Sequence, residues 1–225
     1  MTRAACSPSD AVAHRYDRWL QGHSPVALYV RWYLLQRTPR EYLRLLDAIG
    51  PPRARLLDVG CAAGVPLLHA YRAGWGRDLL AGVDVSTVAL TRASETLRRG
   101  ASGGRGISLE RACADSLPFE DGSFGAVTCN GLVKYLDDAA LERTLTEMRR
   151  VTATGGRIAI GEFGPRISSA VVPWWRVSSI EDQHLRSAEE VAGAISAAGF
   201  SSIERIEIPR IRRFPYAYIG VIATS

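Results

Sequence analysis

The chain has 225 residues, enough for one domain with an added cap, and its 47% apolar and 23% charged content suits a globular protein with an ordinary core. The net charge is +5, and all but one of the 28 basic residues are Arg. That bias reflects genome composition rather than a nucleic-acid footprint, which would cluster cations among aromatics. No run of 18 apolar residues suggests a membrane span, and no apolar stretch near the start suggests a signal peptide. The cysteines Cys6, Cys61, Cys113 and Cys129 form no CxxC pair. The expectation is therefore a cytoplasmic protein with free thiols and no metal site.

Residues 8–50 have helix periodicity: "DAVAHRYDRWL", then "VALYVRWYLLQR", then "PREYLRLLDAIG", which starts on Pro39 and stops at Gly50. "GPPRA" reads as a linker. From Arg55 the pattern changes to strands alternating with helices. "RLLDV", "LLAGVDV", "GISLERACA", "SFGAVTCN" and "TGGRIAIGEF" read as strands, the last entered through a hairpin-like glycine pair. "GVPLLHAYRAG", "STVALTRASETLRRG" and "DDAALERTLTEMRRV" read as the helices between them, the second with Ser86 as N-cap. An irregular stretch precedes the helix "SAEEVAGAISAAG". The strands "SSIERIEIP" and "RFPYAYIGVIAT" then follow with no helix between them.

Strand–helix alternation implies an α/β fold, a mostly parallel sheet with helices on both faces, closed by an antiparallel C-terminal hairpin. In such sheets ligands lie outside the carboxyl ends of the strands. Those positions carry Asp58, Gly60, Cys61, Ala62 and Gly64, then Asp84 and Val85, then Cys113, Ala114 and Asp115, then Asn130 and Gly131, and finally Glu162. A glycine loop with an acid about twenty residues on suits two ligand classes. A dinucleotide needs GxGxxG to cradle a pyrophosphate. Here the spacing is Gly60 to Gly64 with alanines at 62 and 63, so that pattern is incomplete. A ligand with a ribose and a cationic amino-acid end, such as S-adenosylmethionine (SAM), needs room and carboxylates instead. Asp58 suits the cation and Asp84 the ribose hydroxyls.

The ordered set of motifs resembles a class I SAM-dependent methyltransferase. "LLDVGCAAG" is similar to the first family motif, and "GVDVS" to the acid after the second strand. "LPFEDGSFGAV" resembles the entry to the fourth strand, and "EMRRVTATGGRIAIGEF" the helix, glycine turn and fifth strand. "LRSAEEVAGAISAAGF" resembles the helix before the final hairpin of small-molecule members. The resemblance implies a Rossmann-like seven-stranded sheet, with SAM as methyl donor. It implies a SAM-binding domain over 53–225, a helical N-terminal cap or lid over 1–52 and a substrate-side insert at 163–186. Two positions depart from the family. Ala62 replaces a glycine, and Cys113 stands where an acid often holds the adenine amine. Asp115 is the candidate to take over that contact; backbone near Ala114 is the other.

Lys134 is the single lysine, in "NGLVKYL" just past the fourth strand, where relatives open their substrate pocket. Lys134 and Tyr135 are therefore the candidate catalytic pair, Lys134 acting as a base only if its amine is desolvated or placed near another cation. Tyr16 resembles a tyrosine that closes over SAM. Trp19, Trp174, Trp175 and His184 are the candidate acceptor contacts. The expected function is methyl transfer to a small acceptor, plausibly an apolar or aromatic specialised metabolite, by a monomer or homodimer without nucleic-acid or membrane partners. The alternatives are a non-methylating reaction such as cyclisation on the same fold, an RNA methyltransferase and a nicotinamide oxidoreductase.

Overall fold

A computed structural model describes residues 17, 43–50, 54–101, 106–166, 184–207 and 216–225. One seven-stranded sheet organises them, in the order β3-β2-β1-β4-β5-β7-β6. The strands are β1 (Leu56–Val59), β2 (Leu80–Asp84), β3 (Ser108–Arg111), β4 (Phe124–Asn130), β5 (Thr152–Arg166), β6 (Ser201–Glu207) and β7 (Tyr216–Thr224). The first five are parallel, and β7 runs antiparallel to both β5 and β6. Chain order reverses between β1 and β4, so a switch point lies at their carboxyl ends.

The helices are α1 (43–49), α2 (Val65–Arg72), α3 (Thr87–Gly100), α4 (Asp138–Val151) and α5 (Ala188–Ala197). Three of them, α3, α4 and α5, start where the sequence supplies a side-chain cap. Ser86 accepts the amide of Ala89, Asp137 accepts that of Ala140, and Ser187 forms a reciprocal capping box with Glu190. The sheet buries both faces, which is why every residue of β1 and β2 is buried and, Asp58 and Asp84 apart, apolar or glycine. On one face Leu57, Val59, Val127, Ile158 and Val221 meet Leu145 and Met148 of α4 and Ile195 of α5. On the other, Leu56, Ala126, Ala159 and Ile222 meet Leu45 and Leu46 of α1, Leu67 of α2 and Leu97 of α3. The described turns of α1 thus contribute to the sheet's own core. No described helix is long and apolar enough to cross a membrane.

The element order matches the sequence reading, with three differences. The glycine pair 155–156 makes no hairpin. It sits inside β5, where Thr152 pairs with Phe124 and Arg157 with Ala126, so the residues between bulge out of register. Gly155 meets the bend with φ of +73°. Short 3₁₀ turns at Arg77–Leu79 and Val133–Tyr135 were not expected. Cys113 is disulfide-bonded, its partner lying outside the described residues, whereas Cys61 and Cys129 are free and buried. The expectation of four free thiols is corrected at that position.

Candidate active site

The loop after β1 is built from backbone hydrogen bonds. The amides of Gly60 and Cys61 both donate to the Val83 carbonyl at 2.9 Å, and the Gly64 amide closes on the Cys61 carbonyl at 2.8 Å. Gly60 has φ of +74° with Leu132 against its α-carbon, so a side chain there would be strained and crowded. Gly64, at the same φ, faces α3: an added methyl would lie 3.0 Å from Ala93 Cβ. Ala62 also adopts positive φ, +47°, a region L-residues other than Asn and Asp rarely enter. Its amide donates to Asp84 Oδ2 at 2.9 Å, which explains the strained turn. Cys61 is fully buried and packs under Gly82.

Asp84 ends β2. Its Oδ1 accepts the Ser86 amide at 2.9 Å, so each oxygen is oriented by one backbone amide. A carboxylate oxygen accepts more than one hydrogen bond, which leaves capacity for a ligand hydroxyl. Burial pushes the Asp84 pKa up, the amides of Ser86 and Ala62 oppose this, and Asp17 adds to the rise. The Ser86 hydroxyl in turn donates to Asp17. Asp58 lies one strand over and is 1% exposed. Its Oδ1 accepts from Thr128 Oγ1 at 2.6 Å, while Oδ2 is buried without a partner. Burial raises its pKa to about 7; the Thr128 bond works against the shift and Asp84 with it.

These groups flank a cleft along the carboxyl ends of β1 to β4. Gly60, Asp84, Val85, Cys113, Ala114, Asp115 and Tyr135, all singled out by sequence, line it together. So does Leu132, which follows the fourth strand, and so do Val83, Leu136, Asp137, Ala140, Arg143 and Thr144, which sequence reasoning missed; the last three lie in α4, which carries no motif. Asp115 Oδ2 is 3.3 Å from Arg143 Nε at the rim. The loop carrying "LPFED" is held from behind by Arg150. Its guanidinium donates to the carbonyls of Leu117 at 3.0 Å and Phe119 at 2.7 Å, and pairs with Glu147 and Asp121. Glu147 also accepts the Leu117 amide at 2.8 Å.

The other half of the edge is built differently. Lys134 sits in the 3₁₀ turn, 7% exposed, with Nζ 3.1 Å from Glu162 Oε1 and 2.5 Å from the Gly131 carbonyl. Glu162 is fully buried and also accepts the amides of Lys134 and Phe163, at 3.0 and 2.7 Å. Burial works to lower the Lys134 pKa, but the Glu162 carboxylate and Tyr135 overcome it and the net shift is upward. The amine is desolvated, as a Lys134 base would need, but the neighbouring Glu162 carboxylate outweighs that effect, so the amine keeps its proton. Asn130 ends β4 opposite Gly161, its Oδ1 buried without a partner. Gly131 has φ of +74° and turns the chain back to bond Gly161 at 2.8 Å. His184 is exposed; its amide donates to the Lys134 carbonyl at 2.7 Å. Arg186, unmarked by any sequence signal, is 8% exposed and ties the same turn down through the carbonyls of Val133 and Leu136 at 3.1 and 2.9 Å. Tyr16, Trp19, Trp174 and Trp175 lie outside the described residues.

The chemistry of the cleft selects between the two ligand classes. Asp84 suits a ribose in either class, but the carboxyl of Asp58, buried at the end of β1, disfavours an anion at the loop. Together the two carboxyls suit a ribose and a cationic centre. The cleft floor is Ala112, Ala114, Leu132, Leu136 and Ala140, apolar and open to a flat ring. On these grounds the residues present fit SAM.

Comparison with known proteins gives the same direction. Residues 56–156 match the family model described as "Methyltransferase domain". A demethylmenaquinone methyltransferase of Thermobifida fusca is 30% identical over 152 residues, covering 57% of this chain and 64% of that protein. A malonyl-[acyl-carrier protein] O-methyltransferase of Geobacter sulfurreducens is 29% identical over 206 residues, covering 86% of this chain and 73% of that protein. Among solved structures, phosphoethanolamine N-methyltransferase 2 of Haemonchus contortus, in complex with S-adenosyl-L-methionine, superposes with a TM-score of 0.68 at 18% identity, covering 82% of this chain and 52% of that one. The chain thus spans less than two thirds of the first relative's length and about half of that structure.

Proposed function

We propose that this chain, whose residues 56–156 match the methyltransferase-domain model, is a class I SAM-dependent methyltransferase that transfers a methyl group to a small-molecule acceptor of apolar or aromatic character. The observation that carries the reading is Asp84. It is a buried carboxylate at the switch side of the sheet, aimed by the amides of Ala62 and Ser86, beside a glycine that no side chain could replace without crowding. In this reading Asp84 accepts the ribose hydroxyls, Gly60 allows close approach, and Asp58 stabilises the cationic end from beneath the loop.

When bound, SAM supplies a methyl already activated by its sulfonium, so the protein's share is to align the acceptor and exclude water. The acceptor would enter beyond β4 and β5, where Asn130 holds an unpartnered amide oxygen. Lys134 stays protonated and anchors the wall through Glu162. Any proton the acceptor loses therefore leaves by another route. The relatives named above act, by their names, on a quinone precursor, a carrier-bound malonyl group and an amine. They support a small acceptor without selecting one, and the aromatic insert at 163–186 supports an apolar one.

Calorimetric titration with SAM, its demethylated product S-adenosylhomocysteine and NADH tests the reading, with Asp84→Ala as control. Micromolar binding of the first two, weakened at least about thirtyfold in the variant, is the expected result. Binding of NADH alone would replace the methyl-donor reading with a redox one. Binding of SAM with no turnover across an acceptor panel would favour a non-methylating reaction at the same site.

A further inference from the structure

Ser86 serves several neighbours at once. Its amide holds Asp84 Oδ1 at 2.9 Å, and its hydroxyl oxygen caps α3 by accepting the Ala89 amide at 2.9 Å. Its hydroxyl hydrogen goes to Asp17, 69 residues earlier in the chain. Ser86 is 1% exposed, so a protein group rather than bulk water must take that hydrogen. The cap itself uses only the oxygen, as an acceptor, and does not call for a carboxylate beside it.

The neighbouring Asp84 does. A carboxylate offers roughly four acceptor sites. The amides of Ser86 and Ala62 occupy one on each oxygen, which leaves about two. A ribose brings two adjacent hydroxyls and needs both. The bond from its amide keeps Ser86 beside Asp84, so Asp84 is the acceptor to which the hydroxyl turns if Asp17 is removed. The hydroxyl would then fill one of the places that the ribose needs.

We propose that Asp17 is a positioning residue of the donor site: it draws the Ser86 hydroxyl away from Asp84 and so keeps both open acceptor places of Asp84 for the ribose of the methyl donor. The assignment rests on the SAM reading given above. It explains why a serine that is already a cap is bonded to a distant carboxylate. Asp17 acts here through Ser86, on a ligand it need not touch.

The test combines ligand and protein substitutions. Dissociation constants are measured for S-adenosylhomocysteine and for its 2′,3′-dideoxy analogue, which lacks both ribose hydroxyls. Both are titrated into the wild-type chain, Asp17→Ala, Asp17→Asn, Ser86→Ala and the double variant Asp17→Ala with Ser86→Ala. The wild type should prefer the hydroxylated ligand by about ten- to a hundredfold. Asp17→Ala should lower that ratio about fivefold or more, while affinity for the dideoxy analogue stays within about twofold of wild type. Asp17→Asn, whose amide oxygen still accepts the hydroxyl, should keep the ratio. In the double variant the competing hydroxyl is gone. Its ratio should therefore return to that of Ser86→Ala, although the lost cap lowers its melting temperature. A merely structural defect would worsen with each substitution and weaken both ligands alike. An unchanged ratio in Asp17→Ala overturns the assignment, as does a lowered ratio in Asp17→Asn. A ratio that stays low in the double variant also overturns it, and places Asp17 on the ribose directly. A wild-type chain that binds neither ligand fails the cofactor reading itself, and the assignment with it.

Discussion

The two halves of the sheet's carboxyl edge are built on different plans. At β1 and β2 the work is done by short contiguous stretches: left-handed turns at Gly60, Ala62 and Gly64, two amides on Val83, and a carboxylate aimed by amides. At β4 and β5 it is done by side chains reaching across the fold. Lys134 meets Glu162 from 28 residues away, and Arg186 meets Val133 from 53 away. The first plan leaves a motif in the sequence. The second leaves only isolated residues whose meaning depends on what folds beside them.

The sharpest way to break this contrast is at Lys134. Removing one member of a buried ion pair strands the other, at a cost of about 3–5 kcal/mol. For a domain of this size that lowers the melting temperature by roughly 10 °C. Lys134→Ala should show that loss in thermal denaturation. Lys134→Met combined with Glu162→Gln should recover part of it, because glutamine removes the stranded charge while its one oxygen still accepts one of the two amides, of Lys134 and Phe163, that the carboxylate serves. A single variant that melts like the wild type would mean that the pair is not a structural anchor, and would return Lys134 to the list of candidate bases.

On the other half, Asp58 sharpens the comparison through pH. Its pKa is raised by burial to about 7 from an ordinary value of 3.8. Below about pH 4 folded and unfolded chains both bind the proton, and the group costs nothing. Between about pH 4 and 7 the unfolded chain releases the proton and the folded chain keeps it, so stability falls. Above about 7 the penalty is constant, on the order of 4 kcal/mol. Asp58→Asn keeps an acceptor for Thr128 and removes the titration. It should melt several degrees above the wild type at pH 8, with the gap closing as pH falls to 4. A gap independent of pH would contradict the raised pKa. Stability withheld at a carboxyl whose Oδ2 is buried without a partner fits a group kept for a ligand.

Much of this was legible in the sequence. The strand runs, the cap at Ser86 and the glycine–acid spacing each depend on neighbours a few residues away; the mostly parallel, helix-flanked sheet followed from the strand–helix alternation, and its seven-stranded form from the family resemblance. Gly60, Asp84, Val85, Cys113, Ala114, Asp115 and Tyr135 were named from sequence and line one cleft. What could not be read depends on tertiary placement. Thr144 looks like any helical threonine, and Arg186 like any arginine before a capping box. Lys134 stood out by its rarity, but rarity carried no information about Glu162. Cys113 alone among the described cysteines was misread, for the same reason: composition and spacing said nothing of its bond.

The smallest expected effect concerns Ala62, and it tests whether the β1–β2 half works through backbone alone. At φ of +47° an alanine carries about 1 kcal/mol of strain that glycine does not. Glycine also makes the unfolded chain more flexible, which takes back part of the gain. The net expectation for Ala62→Gly is a stabilisation of about 0.5 kcal/mol, read as a rise of one or two degrees in melting temperature. The amide bonded to Asp84 Oδ2 is present in either residue. The dissociation constant for SAM should therefore stay within about twofold of the wild-type value. A large loss of affinity would instead assign the Ala62 methyl a contact with the ligand. The loop would then be a side-chain device like the Lys134 turn, and the difference between the two halves of the edge would disappear.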